Sequence, residues 1–201
     1  MATSLSQTPG YRYAEYLLIL NPHEDLRQRI SHLKKEVAEK YQAFAATYTK
    51  PHIALARFTN WEMMEDKIIN SLKVTAMSLP PFKVNFKDFG SFPKHTIFID
   101  VQSKLTIQSL IREIRMSRRL MKSPEHDPFF ISDPNIPIAR NLTSEQYDKI
   151  WHDMSHRHFT ASFIADSMLL LKRREGEKGY QIVQRFEFMN LPIAVKQGEL
   201  F

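Results

Sequence analysis

The sequence predicts an α+β fold: one bilobal, duplicated domain. Two pseudo-twofold-related lobes, each a mostly antiparallel sheet with helices outside, face a central cleft. Three observations predict it. Short apolar runs of strand length alternate with longer stretches whose apolar residues recur at helical spacing. The order strand, helix, strand, helix, strand occurs twice. The heptapeptides Pro51–Arg57 (PHIALAR) and Pro134–Arg140 (PNIPIAR) agree at four of seven positions, with His52 and Asn135 standing 83 residues apart. The 201 residues then divide into a first repeat of about 12–92, a second of about 93–190 and a tail, 191–201.

Taken in order, Tyr16–Leu20 is a short apolar run closed by Asn21-Pro22, as a buried strand should be. From about Asp25 to Phe44, Leu26, Ile30, Leu33, Val37, Tyr41 and Phe44 recur at helical spacing, with charges on the other face. Lys50–Phe58 is a strand announced by its proline. Asn60 reads as the N-cap of a helix over Met63–Leu79, which Pro80-Pro81 stops. Phe82–Phe86 alternates like a half-buried strand. Thr96–Val101 begins the second copy, followed by one helix over Leu105–Met121 whose outer face is basic (Arg112, Arg115, Arg118, Arg119). After Pro134–Arg140, Thr143-Ser144-Glu145-Gln146 opens another helix with an acidic residue and a hydroxyl cap. Phe159–Phe163, Ser167–Lys172 and Tyr180–Phe188 read as strands, the last two joined by a turn at Glu175–Gly179.

Composition narrows the chemistry. With 43% hydrophobic and 25% charged residues the chain is globular, neither fibrous nor wholly disordered. It has no cysteine, which excludes disulfides, iron–sulfur clusters, thiolate-bound zinc and a thiol nucleophile. The absence fits a reducing, cytoplasmic location. Met1–Tyr11 is polar and lacks a signal peptide's order, so it reads as a loose leader. No apolar stretch is long enough to span a membrane. The net charge of +6 suits a polyanionic partner, RNA or a nucleotide.

In an extended strand, residues two apart share a face. His52, Ala54 and Ala56 then point one way, and Ile53, Leu55 and Arg57 the other. In the second copy Asn135, Pro137 and Ala139 oppose Ile136, Ile138 and Arg140. The apolar side buries against helices and the His/Asn side suits a cleft floor. Parity thus assigns Arg57 and Arg140 to structural ion pairs. Paired apolar strands of this kind resemble the two-histidine phosphoesterase superfamily, which includes 2′-5′ RNA ligase-like proteins and cyclic phosphodiesterases. Its signature is two His-x-Thr/Ser motifs, often written P-H-I-T-[IL]; the matching segments here are PHIAL and PNIPI. The likeness runs from about Tyr16 to Phe188.

The resemblance implies a metal-free, cofactor-free site that exchanges one oxygen of phosphorus for another. One imidazole takes a proton from the attacking hydroxyl or water and the other gives one to the leaving oxygen. The hydroxyl two residues on holds a phosphate oxygen. It also implies as partner a nucleotide or RNA with a phosphate or cyclic phosphate end; the protein itself is expected to be a monomer. His52 is the surviving acid–base residue. Asn135, Ala54 and Pro137 replace the second histidine and both hydroxyls. Asparagine cannot shuttle a proton near neutrality, and Pro137 requires an edge or distorted strand. An enzyme of weakened activity, with Asn135 orienting the phosphate, and a non-catalytic nucleotide- or RNA-binding relative both fit. Tyr48 and Phe130, just ahead of the motifs, are candidates to stack on a base. His158-Phe159-Thr160 is a rival His-x-Thr, and His152, His156 and His158 a rival metal group.

Overall fold

The computed structural model describes residues 12–192; the expectation for the leader and that for residues 193–201 of the tail lie outside them. The strands are β1 (Tyr13–Leu20), β2 (Ile53–Trp61), β3 (Phe82–Phe92), β4 (Thr96–Val101), β5 (Phe129–Phe130), β6 (Asn135–Arg140), β7 (Thr160–Ala165), β8 (Ser167–Arg174) and β9 (Gln181–Glu187). They form two antiparallel sheets, one ordered β5-β2-β1-β8-β9 and the other β6-β4-β3-β7. The helices are α1 (Glu24–Tyr41), α2 (Glu65–Ser78), α3 (Lys104–Ile114), α4 (Arg118–Met121) and α5 (Ser144–Met154).

Each heptapeptide strand pairs with the first strand of its own copy: β2 with β1, and β6 with β4. The helices between them are exchanged. α1 leaves the five-stranded sheet and packs against β6 and α5 of the other. α3 and α4 leave the four-stranded sheet and pack against β2 beside α2. β3 joins the four-stranded sheet, while β8 and β9 return to the five-stranded one. The lobes are therefore interlocked, and their boundary does not follow the boundary between sequence repeats. Apolar side chains from both sheets and all five helices merge into one core.

Local chemistry sets the ends and breaks. Thr143 caps α5: its hydroxyl accepts from the Gln146 N–H while the Gln146 side chain accepts from the Thr143 N–H. Asn60 caps nothing. It is buried within β2, donates to the Leu120 carbonyl at 2.8 Å and accepts from the Trp61 N–H, tying β2 to α4. The helix expected over Leu105–Met121 is interrupted by a 3₁₀ turn, Arg115–Ser117. There the buried Ser117 hydroxyl lies 2.7 Å from that of Ser71 on α2, a polar contact the apolar spacing did not encode. Among the described residues no helix is long and apolar enough to cross a membrane.

Candidate functional site

Both heptapeptide strands carry a bulge at the same place. In the β1–β2 ladder Leu18 pairs with Ala56 and Ile19 with Ala54, leaving Leu55 as an extra residue. In the β4–β6 ladder Ile97 pairs with Ala139 and Phe98 with Pro137, leaving Ile138 extra. A bulge resets side-chain alternation. Leu55 and Ala56 are both fully buried, as are Ile138 and Ala139, and every residue beyond changes face. The strict alternation expected from sequence fails here. Arg57 and Arg140 turn to the same side as His52, Ala54, Asn135 and Pro137, and all six line one cleft of about 490 Å³. Pro137 is accommodated twice over: β6 is an edge strand, and the proline adjoins its bulge.

The two motif positions are anchored alike. The Nδ1 of His52 lies 2.8 Å from the carbonyl of Lys50, and the Nδ2 of Asn135 donates at 2.8 Å to the carbonyl of Asp133. Each side chain thus binds the backbone two residues before it. A carbonyl only accepts, so Nδ1 of His52 carries the proton and Nε2 keeps its lone pair in the neutral ring. Burial lowers the His52 pKa below its usual 6.5. The Lys34 and Arg140 charges act in the same direction and outweigh the opposing bond to the Lys50 carbonyl. The imidazole is therefore a neutral base at pH 7. Asn135 reproduces the anchoring N–H of a histidine and supplies no exchangeable proton.

Ala54 and Pro137 lie in the cleft without hydroxyls, and cations share it with them. Lys34, Lys50, Arg57, Arg140 and Arg173 line it, with Glu15 and Asp133 as carboxylates. Arg173 pairs with Glu15 and stacks over the Tyr180 ring, and Lys104 holds Asp133 at 2.9 Å. Burial pushes the Glu15 carboxyl up. Hydrogen bonds from Tyr180 and Arg173 outweigh that, and its net pKa is below the ordinary value. Among the described residues Lys34, Lys50, Arg57 and Arg140 make no ion pair. Arg57 acts on Glu15 through its charge alone, and a group of cations that outnumbers the carboxylates of the cleft suits an oxyanion.

The aromatic candidates lie elsewhere. Tyr48 is 81% exposed and outside the cleft. Phe130 packs on the core beneath Arg115, because neighbouring residues of β5 face opposite ways; Phe129, 56% exposed, is the one that lines the cleft, with Phe92 and Tyr180. His158 is also outside, its Nδ1 3.3 Å from Asp88. His152 and His156 form an edge-to-face pair, and Lys40 and Tyr41 hold the neighbouring Asp153. No group of three or more histidine, aspartate or glutamate side chains is disposed to hold a metal among the described residues, which removes the rival metal group.

The profile of the 2′-5′ RNA ligase superfamily matches residues 22–177. No curated protein matches the chain by sequence. Among solved structures, E. coli LigT complexed with 3′-AMP superposes with a TM-score of 0.63 at 13% identity, covering 88% of this chain and 99% of that one. LigT complexed with phosphate gives 0.60 at 13%, covering 88% and 98%. A crystal structure described as a phosphoesterase gives 0.59 at 15%, covering 87% and 97%. At these identities the likeness establishes the fold.

Proposed function

Because the chain belongs to the 2′-5′ RNA ligase superfamily, we propose that its cleft receives the phosphate or cyclic-phosphate end of a nucleotide or an RNA. One observation carries this reading: the matched bulges turn Arg57 and Arg140 into the same cleft as His52 and Asn135, beside Lys34 and Lys50. The two guanidiniums clasp the phosphate oxygens, the task that hydroxyls at Ala54 and Pro137 would otherwise share. The exposed Phe129 ring, at the cleft wall, offers a face to the base. LigT complexed with 3′-AMP and with phosphate supports the choice of ligand class.

Chemistry at this site is one-sided. Nε2 of His52 takes the proton of a water that attacks phosphorus; a new P–O bond forms and one ring P–O bond of the cyclic phosphate breaks. The departing oxygen must then find its proton in solvent, because Asn135 only donates a hydrogen bond to it. Loss of one acid–base partner costs roughly 10²–10⁴ in rate. The protein is on this reading a strong binder and a slow phosphodiesterase. The same three replacements, Ala54, Asn135 and Pro137, favour a second reading in which binding alone is the function.

Calorimetry with adenosine 3′-monophosphate tests the binding. The wild type takes it up, and the double variant R57A/R140A loses at least tenfold in affinity; equal affinity would remove the arginines from the site. Turnover of adenosine 2′,3′-cyclic phosphate divides the two readings. Slow hydrolysis abolished by H52A supports the enzyme, no hydrolysis with intact binding supports the binding protein, and hydrolysis unchanged in H52A refutes the site.

A further inference from the structure

α1 supplies the cleft with a group that neither motif contains. Lys34 is only 3% exposed. Its Nζ donates to the carbonyls of Ala46 at 3.1 Å and Thr49 at 3.0 Å, in the segment leading to His52. An ammonium has three N–H donors, so one remains for the cleft that the residue lines. His52 ahead of β2 and Arg140 from β6 are near enough to feel its charge, and Lys50 lines the same cleft; none is an anion. The carboxylates of the cleft, Glu15 and Asp133, are held by Arg173 and Lys104. A buried charge without a counter-ion is costly and is seldom kept without a purpose.

We propose that Lys34 is a ligand-binding residue whose third N–H donates to an oxygen of a phosphate-like dianion seated among Arg57, Arg140 and His52, the anion serving as the counter-ion that no described side chain of the cleft provides. The proposal rests on the reading of the cleft as a phosphate site. It adds a consequence that the arginines cannot produce. Burial, with the Arg140 charge adding to it, pushes the Lys34 pKa down to about 8. The free protein must therefore protonate Lys34 before it can bind an anion there at high pH. An anion that needs the charged form loses about thirtyfold in affinity between pH 7 and 9.5. Guanidiniums stay charged throughout that range.

Inorganic sulfate is the probe, because its charge is constant over this range. Its affinity is read from the NMR shifts of His52 and its neighbours at pH 7 and 9.5, in the wild type, K34M and K34R. The wild type should weaken by about thirtyfold. K34M should bind at least thirtyfold more weakly at pH 7, with the steep loss at high pH gone. K34R, which cannot neutralise, should hold its affinity to pH 9.5. A wild type that binds equally well at both pH values, or a folded K34M that matches it at pH 7, overturns the role of Lys34 alone. A wild type that takes up no sulfate at either pH brings down the phosphate-site reading as well.

Discussion

Lys34→Met tests the buried ammonium through folding, without any ligand. Lys34 titrates near 8 in the folded protein against an ordinary 10.5. Each tenfold difference in proton affinity is worth about 1.36 kcal/mol, so at pH 7 the charged lysine costs the folded state about 3 kcal/mol. The folded state binds fewer protons than the unfolded chain between about pH 8 and 10.5, and stability from this group therefore rises with pH across that window. From pH 7 to 10 the gain is about 2.5 kcal/mol. Methionine keeps the length of the chain and removes the titration. It also leaves the Ala46 and Thr49 carbonyls unpaired, which displaces its stability by a constant amount at every pH. Burial raises Tyr16 and Tyr180, so both work in the opposite sense at still higher pH, but they do so in both proteins and cancel. Urea unfolding of wild type and K34M at pH 7 and 10 gives the four free energies. The wild type should gain about 2.5 kcal/mol on K34M; a difference constant to within about 0.5 kcal/mol would refute the reasoning.

Three further outcomes follow from particular contacts. A Cβ added at Gly90 would stand 2.5 Å from Cε2 of the buried Phe98 ring, so G90A should lose about 1–3 kcal/mol in chemical denaturation. T143A removes the hydroxyl that caps α5 and should cost about 0.5–2 kcal/mol by the same measurement. On the acid side, any turnover by the wild type should fall with a midpoint below pH 6.5, since the His52 pKa is lowered and the neutral ring is the working form; a rate that climbs on acidification would contradict His52 as base.

Much of this was readable in advance because apolar spacing is local. Eight of the nine described strands, the duplication and the meeting of His52 with Asn135 in one cleft all follow from it. What escaped were departures from regularity that depend on a partner strand. The extra residues Leu55 and Ile138 are ordinary β-branched or aliphatic members of their runs, and only the registers with β1 and β4 show that they are bulged. With them went the direction of Arg57 and Arg140. Phe129 and Phe130 differ by one step of parity in a two-residue strand, too short for its pattern to be read. Lys34 did leave a signal: Ile30, Lys34 and Ala38 are four apart, so the lysine interrupts the apolar stripe of α1 rather than lying on its charged face. The exchange of α1 with α3 and α4 between sheets left none, because helix faces do not name the sheet they cover.

The account rests on the cleft being a two-histidine site with one imidazole replaced. The anchoring bond from Asn135 to the Asp133 carbonyl is already present for a histidine Nδ1 to inherit. Restoring the ring by N135H tests the claim most directly, with turnover of adenosine 2′,3′-cyclic phosphate as the measurement. The account predicts a gain of about 10² or more over the wild type, lost again in H52A/N135H. An N135H protein that binds adenosine 3′-monophosphate as the wild type does, yet turns over the cyclic phosphate no faster, would contradict it.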